Sequence, residues 1–447
     1  MVEPLDPKAL KAQYFDFTPE FFAPLIDVVH KFPPTDPKDS KSGWVTLSYE
    51  KVQWDVNGTI RGLRYGDNPG QQAAMYRLVD GFLRLGDVET IGHGMGLVTN
   101  AELMRHAGKH PGKTNLTDPD NALAILRYLT ERPATVIVKH NNPCGVAFGD
   151  SLLESYLKAD KADRIAAFGG TIALNRSVDR ITAEAIKERY AEVVVAPEYE
   201  EGSLEILAAR KNLRVLRIKN IAHLQEWGRT VPLNYKGLID GGFVIETGFI
   251  PEATTIDDFA KLPLAFATYK GVEYKIRRAP TQQELRDLRF TWIVECYTGS
   301  NSVAFGKDEV AFAIVAGGQD RVGSVKVGRA KAVEKLADLI CFERYGMPYD
   351  GLVLNIEREG DLETRDKLEA QKLAIDIEVV GVNGGLKGAV MASEAFFPFR
   401  DGVDAALRAG VTAIVQPGGS DRDFESIEAC NEKDAAMIFS RQRSFKH

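Results

Sequence analysis

Apolar residues recur with helical spacing at Ala122, Leu123, Ile125, Leu126 and Leu129, which predicts an amphipathic helix from Asn115 to Thr130, capped by Asp118 or Asp120. The β-branched run Val136-Ile137-Val138 follows at once and predicts a buried strand over 135–138. Helix then strand is the rhythm of an α/β protein. It continues with a helix at Ser151–Ala162, a strand at Ile165–Phe168, a helix at Thr182–Arg189, a strand at Glu192–Ala196, a helix at Ser203–Ala209 and a strand at Leu213–Ile218. A second series starts near Thr281, with a helix through Leu285 to Val294, strands at Ser302–Phe305 and Ala311–Val315, and a helix over Val325–Ala337. An apolar run at 387–393, a helix at Asp401–Ala409 ended by Gly410, a strand at Val411–Val415, a helix from Asp423 and the strand-like AMIFS complete it.

The pattern divides the chain into an N-terminal extension (1–57), a first α/β subdomain (58–224), a linker with a small subdomain (225–280) and a second α/β subdomain (281–447). Residues 1–43 read as irregular, broken by Pro33, Pro34 and Pro37, and residues 44–55 alternate like a strand. Two successive α/β series suggest a duplicated architecture. Net charge of −7 argues against a general nucleic-acid or anionic-membrane binder, but leaves room for a local basic pocket that takes a phosphorylated small molecule. No apolar run is long enough to span a bilayer, and the start MVEPLDPKALKAQY lacks the apolar core of a signal peptide, so the expected location is cytoplasmic. Cys144, Cys296, Cys341 and Cys430 are far apart and form no CxxC pair, which argues against structural zinc or a redox dithiol. His106 and His110 lack an acidic partner of the HExxH kind and read as surface histidines, so no metal site is expected from them.

Four polar clusters punctuate these elements. Arg64-Tyr65-Gly66-Asp67-Asn68-Pro69 places an arginine in a rigid turn, where it either clamps a phosphate or is plain surface loop. Lys139-His140-Asn141-Asn142 reads as the end of a buried strand, bringing a cation and a base to the carboxyl edge of a parallel sheet. Thr298-Gly299-Ser300-Asn301 can bond a carbonyl or ribose, coordinate a potassium-like monovalent cation, or simply connect a helix to a strand. Phe396-Phe397-Pro398-Phe399-Arg400-Asp401 can wall a flat heterocycle, with Asp401 either bonding a ring edge or capping its helix. Pro417-Gly418-Gly419-Ser420 offers backbone N–H groups of the anion-binding kind, and Arg443 and His447 can close a basic pocket.

In chain order, LRYGDNPGQ, VIVKHNNPCGVA, AFGGTIALN, EVVVAPEYE, TGSNSVAF, GGQDRVGSV, SEAFFPFRDGVDAA and AIVQPGGSDRD resemble AICAR transformylase, the formyltransferase portion of the bifunctional enzyme that also carries IMP cyclohydrolase. The resemblance runs from about residue 58 to His447. It implies two cytidine-deaminase-like α/β subdomains without zinc, and a reaction in which the 5-amino group of AICAR takes the formyl group of 10-formyltetrahydrofolate. By motif match it makes His140 the general base, Lys139 the group that stabilises the intermediate or protonates the departing folate nitrogen, and Asn301 the holder of substrate or formyl oxygen. It assigns Arg64, Tyr65 and Arg443 to the phosphate and ribose of AICAR, and Gly169 and Glu192 to the nucleotide. It assigns Phe396, Phe397, Pro398 and Asp401 to the AICAR and folate pocket, and Arg321 to folate. It also implies a homodimer with shared active sites, in which Arg64 serves the partner's site.

Three departures accompany it. The residues before 58 are too few for a cyclohydrolase domain, which predicts a monofunctional enzyme. Gly70 stands where the family usually has histidine, and Cys296, after Glu295, where it commonly has lysine. Two readings compete with the transformylase: use of another formyl donor with the same acceptor, and a catalytically silent paralogue that binds AICAR-like nucleotides.

Overall fold

The computed structural model describes residues 16–34, 36, 38–86, 88–89, 92, 96–105 and 110–447. These form a mixed α/β chain with two compact units, one of residues up to 130 with 170–250, the other of 131–169 with 251–447.

In the first unit, Thr171–Leu174, Val193–Ala196 and Arg214–Arg217 are parallel neighbours, and Glu102–Arg105 runs antiparallel at the edge. Val193, Val194, Val195 and Ala196 are all buried, as parallel strands covered on both faces require. The Arg180–Lys187 helix starts where Asp179 accepts the Thr182 N–H at 2.7 Å. The helix expected over 115–130 spans Thr114–Leu126, and Leu129 lies beyond its end, buried like the rest of its apolar face. Its capping residues differ from expectation: Asp118 and Asp120 lie inside the helix, Lys113 occupies the N-cap position, and Asn115 closes the entry by accepting the Gly112 N–H at 3.1 Å.

The first unit also holds a strand, Leu25–Lys31, in a stretch expected to be irregular. It pairs in antiparallel register with Trp44–Lys51, so Pro33 and Pro34 end the strand instead of preventing it. His110 is buried, with Nε2 against the Gly62 carbonyl and its ring beside Phe17 and Trp54; it is not a surface histidine, and His106 lies outside the described residues.

In the second unit the strand order is Ala436–Phe439, Ala413–Gln416, Val390–Ser393, Val303–Lys307, Val310–Val315, Asn142–Phe148, Ala134–Lys139. The first three are parallel and the rest antiparallel. Two expectations change here. Residues 165–168 are not a strand: Asp163 accepts the Ala166 N–H at 3.0 Å and caps a short helix, Arg164–Ala167. And the strand that ends at Lys139 is not parallel to its successor: it turns straight back into Asn142–Phe148, with Lys139 opposite Asn142. The helices Arg321–Tyr345, Tyr349–Arg358 and Leu362–Gly381 enclose a satellite core of Ile340, Cys341, Leu352, Ile356, Ile375 and Val379. Among the described residues no helix is long and apolar enough to cross a membrane.

Candidate functional site

The hairpin turn of the second unit consists of His140 and Asn141, with φ of 53° and 59°. Left-handed backbone at both central positions matches the two-residue turn whose twist suits antiparallel strands. Non-glycine residues held there cost about 1–3 kcal/mol each, and such strain clusters at functional sites. Here it leaves the His140 ring exposed at the tip while Val136, Ile137 and Val138 anchor the strand in the core.

The Asn142 side chain fastens this turn, and Lys446 Nζ donates to the Asn141 carbonyl at 3.5 Å. Asn142 donates from Nδ2 to the His140 carbonyl at 3.1 Å and accepts the Gly299 N–H on Oδ1 at 2.8 Å. A Cβ on Gly299 would sit 3.2 Å from that same oxygen, so a glycine suits the approach. The second and third catalytic candidates are tied in as well. Lys139 Nζ donates to the Phe168 carbonyl at 2.7 Å, just before Gly169, whose φ is +76°. Asn301 follows a cis Ser300–Asn301 peptide and exchanges backbone hydrogen bonds of 3.0 Å with Gly318 in both directions.

Beneath Asn301 lies a buried charge network that the sequence did not reveal. Arg321 Nη2 donates to Glu394 Oε1 at 2.9 Å and stands 3.4 Å from Asn301 Oδ1; its Nη1 donates to the Ser302 carbonyl at 2.9 Å. Ser300 Oγ and Ser302 Oγ lie 2.9 and 2.6 Å from Glu394 Oε2. Ser302 Oγ is also 2.7 Å from Glu295 Oε1, and Ser444 Oγ donates to Glu295 Oε2 at 3.1 Å. Both glutamates are fully buried. Burial, with Glu394 as a like charge, pushes the Glu295 carboxyl up to about 8. Cys296 beside it is buried too, and burial raises its thiol well above the ordinary range, which makes it an inert thiol. The hydroxyls of this loop are engaged with protein partners, Thr298 with the Val294 carbonyl at 3.0 Å and Ser300 and Ser302 with Glu394, so the loop does not fit the potassium-like ion that was one reading of it.

The remaining candidates of this unit lie around the last strands. Phe396, Pro398 and Asp401 are exposed, while Phe397 is fully buried in the hydrophobic core under Gly402. Asp401 accepts its neighbour Gly402's N–H at 2.8 Å and makes no side-chain cap at its helix. Arg443 is exposed, its guanidinium 4.3 Å from the Phe445 ring centre. The anion-binding reading of the Gly418–Gly419 turn fails, because Asp423 Oδ2 already takes the N–H groups of Gly419 and Ser420 at 2.7 and 3.1 Å.

The first unit holds its own cluster. Arg64 is buried, donates from Nη2 to the Tyr65 hydroxyl at 2.9 Å, and lies over the Tyr65 ring. Arg214, which no motif flagged, is more deeply buried, with Glu192 Oε2 3.6 Å away. Arg64 Nε and Nη1 and Arg214 Nε are buried without a hydrogen-bond partner among the described residues. Burial, with Arg64 as a like charge, lowers Arg214 to about 10. Glu192 is held by Asn115 Nδ2 at 3.1 Å. An open cavity of about 660 Å³ is lined by Gly66, Asp67, Gly70 and Lys113, among others. The site residues thus fall into two sets, Arg64, Tyr65 and Glu192 in one unit and the rest in the other. Arg214, Glu295 and Glu394 join them on structural grounds, and Asn142, part of the Lys139-His140-Asn141-Asn142 cluster, gains its fastening role from the structure.

The chain has relatives that match most of its length. A family model described as AICARFT/IMPCHase bienzyme matches residues 27–331. The bifunctional purine biosynthesis protein PurH of Aquifex aeolicus is 34% identical over 388 residues, covering 87% of this chain and 60% of that protein. PurH of Acetivibrio thermocellus is 34% identical, covering 90% of this chain and 61% of its own length. PurH of Acidithiobacillus ferrooxidans is 35% identical over 438 residues, covering 98% of this chain and 67% of its own length. The chain therefore spans about three-fifths of the length of the first two relatives.

Proposed function

Because the chain belongs to the AICARFT/IMPCHase bienzyme family, we propose that it moves a formyl group from 10-formyltetrahydrofolate to the 5-amino group of AICAR, giving FAICAR and tetrahydrofolate. The observation that carries this reading is Asn142, which joins the His140 turn to the loop bearing Asn301. A base on a strained, fastened turn beside a polar loop suits acyl transfer to a weak amine, where positioning and oxyanion stabilisation supply much of the rate.

The amine nitrogen bonds to the formyl carbon and the carbon–N10 bond breaks. His140 takes the proton that the amine loses, Lys139 gives one to N10, and solvent exchange restores both groups. Asn301 donates to the formyl oxygen as negative charge builds on it. Phe396, Pro398 and Asp401 line the substrate pocket, Phe397 supports it from the core, and Arg321 serves the folate side through the loop it holds. Arg443 and Gly169 take the ribose and phosphate end. Arg64 and Tyr65, with Arg214 and Glu192, form an anion cradle for the phosphate monoester: three buried guanidinium nitrogens without an acceptor among the described residues support that role. In a homodimer with shared sites this cradle serves the partner chain. Three parallel strands with covering helices in each unit are what two cytidine-deaminase-like subdomains would provide.

The test is a turnover assay with each component omitted in turn. FAICAR formation that needs both AICAR and 10-formyltetrahydrofolate is the expected result. Product with formate and ATP instead would move the proposal to another donor, and tight AICAR binding with no product from any donor would favour the silent paralogue.

A further inference from the structure

Glu295 is buried in the last turn of the Gln282–Glu295 helix and takes no part in the proposed chemistry. Its two oxygens reach different segments. Oε1 is 2.7 Å from Ser302 Oγ, which follows Asn301, and Oε2 accepts from Ser444 Oγ at 3.1 Å, next to Arg443. The segment around Ser444 is clasped further: its N–H donates to the Glu394 carbonyl at 3.1 Å, the Lys446 N–H donates to Ser300 Oγ at 3.0 Å, and the Ser300 N–H donates to the Lys446 carbonyl at 2.9 Å. Lys446 Nζ donates to the Tyr297 carbonyl at 3.0 Å. The tail and the Asn301 loop are thus laced together, with Glu295 at the buried end of the lacing.

Proton counting defines the chemistry of that end. Ser302 Oγ carries one proton yet lies within hydrogen-bond distance of two carboxyl groups, those of Glu295 and Glu394. Glu394 already accepts from the Arg321 guanidinium and from Ser300 Oγ, so it serves as the acceptor of the Ser302 hydroxyl, and the second proton of the chain belongs to Glu295. The sequence of donors is Glu295 hydroxyl to Ser302, Ser302 to Glu394, and Arg321 to Glu394. Every buried oxygen then has a donor, as a buried polar network requires.

We propose that Glu295 is a positioning residue, a neutral carboxylic acid whose two hydrogen bonds hold the Asn301 loop and the Arg443 tail in one arrangement. Its catalytic consequence rests on the formyl-transfer reading; its structural consequence does not. An amide can make the same pair of bonds, with its NH2 donating to Ser302 and its oxygen accepting from Ser444.

The test pairs hydrogen exchange over residues 440–447 with steady-state kinetics on AICAR, in E295Q, E295A and S444A. Glutamine keeps both bonds and is expected to restore near-wild-type exchange and kinetics. E295A is expected to exchange at least about tenfold faster in that segment and to raise KM for AICAR by about tenfold with a smaller change in kcat. S444A, a mild change if E295A fails to fold, is expected to loosen the segment in the same direction. Wild-type exchange in both E295A and S444A would overturn the proposal, and so would E295Q behaving like E295A. Loss of turnover in the wild type itself would strike the formyl-transfer reading and leave the exchange result standing.

Discussion

Glu394 and Arg321 in one unit, and Arg64 and Arg214 in the other, are both cases of buried charge, yet the two units treat it oppositely. In the first case a cation and an anion meet at 2.9 Å, and two serine hydroxyls occupy the remaining carboxylate oxygen. In the second, two like charges are buried, a carboxylate oxygen of Glu192 is 3.6 Å from Arg214, and three guanidinium nitrogens have no acceptor among the described residues. A buried ion pair that is fully bonded is a rigid support; buried cations left short of acceptors are destabilising unless an anion joins them. That difference is the ground on which we propose scaffolding for the glutamate network and ligand capture for the arginine cluster.

The largest effect expected from that contrast lies on the glutamate side. E394A strands the Arg321 guanidinium in the interior and should cost about 3–5 kcal/mol of stability, measured by urea unfolding. A loss below about 1 kcal/mol would mean that the network is not the support described.

Next comes the arginine cluster. R214M removes one of two repelling buried cations, so the substituted chain should melt no lower than wild type in phosphate-free buffer. It should, however, lose much of the rise in Tm that inorganic phosphate or AICAR gives the wild type, an expected drop in affinity of about tenfold or more. A wild type whose Tm ignores phosphate would remove the anion cradle from the account.

The smallest effect is in pH dependence. Burial raises Glu295 from 4.5 to about 8 in the folded chain, which therefore holds this proton more tightly than the unfolded chain does. The stabilisation is complete below pH 4.5 and fades as pH rises to about 8. Over that window E295Q should gain stability relative to wild type, seen as converging or crossing Tm curves; parallel curves would contradict the neutral-acid assignment.

How legible all this was from the chain depends on range. The α/β alternation was readable because Val193–Ala196 and Ala413–Gln416 are short apolar runs rich in β-branched residues, joined by short connections to helices. The Ile165–Phe168 stretch was misread as a strand because four apolar residues carry no period, and the Asp163 cap decided the outcome, a short Arg164–Ala167 helix. The His140 turn was found but placed on a parallel strand, since Asn-Asn-Pro reads as a break and Asn142–Phe148, with a proline and small residues, does not read as a returning strand. The Ser302 bridge between Glu295 and Glu394, and the approach of Arg64 to Arg214, are products of tertiary folding between distant segments, so no local pattern announces them.

The central claim is that the fastened His140 turn is the reacting centre, and H140N tests it most directly. Asparagine tolerates the left-handed backbone that His140 adopts, so the turn should persist while the base is removed. The account predicts that kcat for FAICAR formation falls by about 10²–10⁴-fold with AICAR affinity and Tm little changed. Turnover at the wild-type rate in a correctly folded H140N would contradict it.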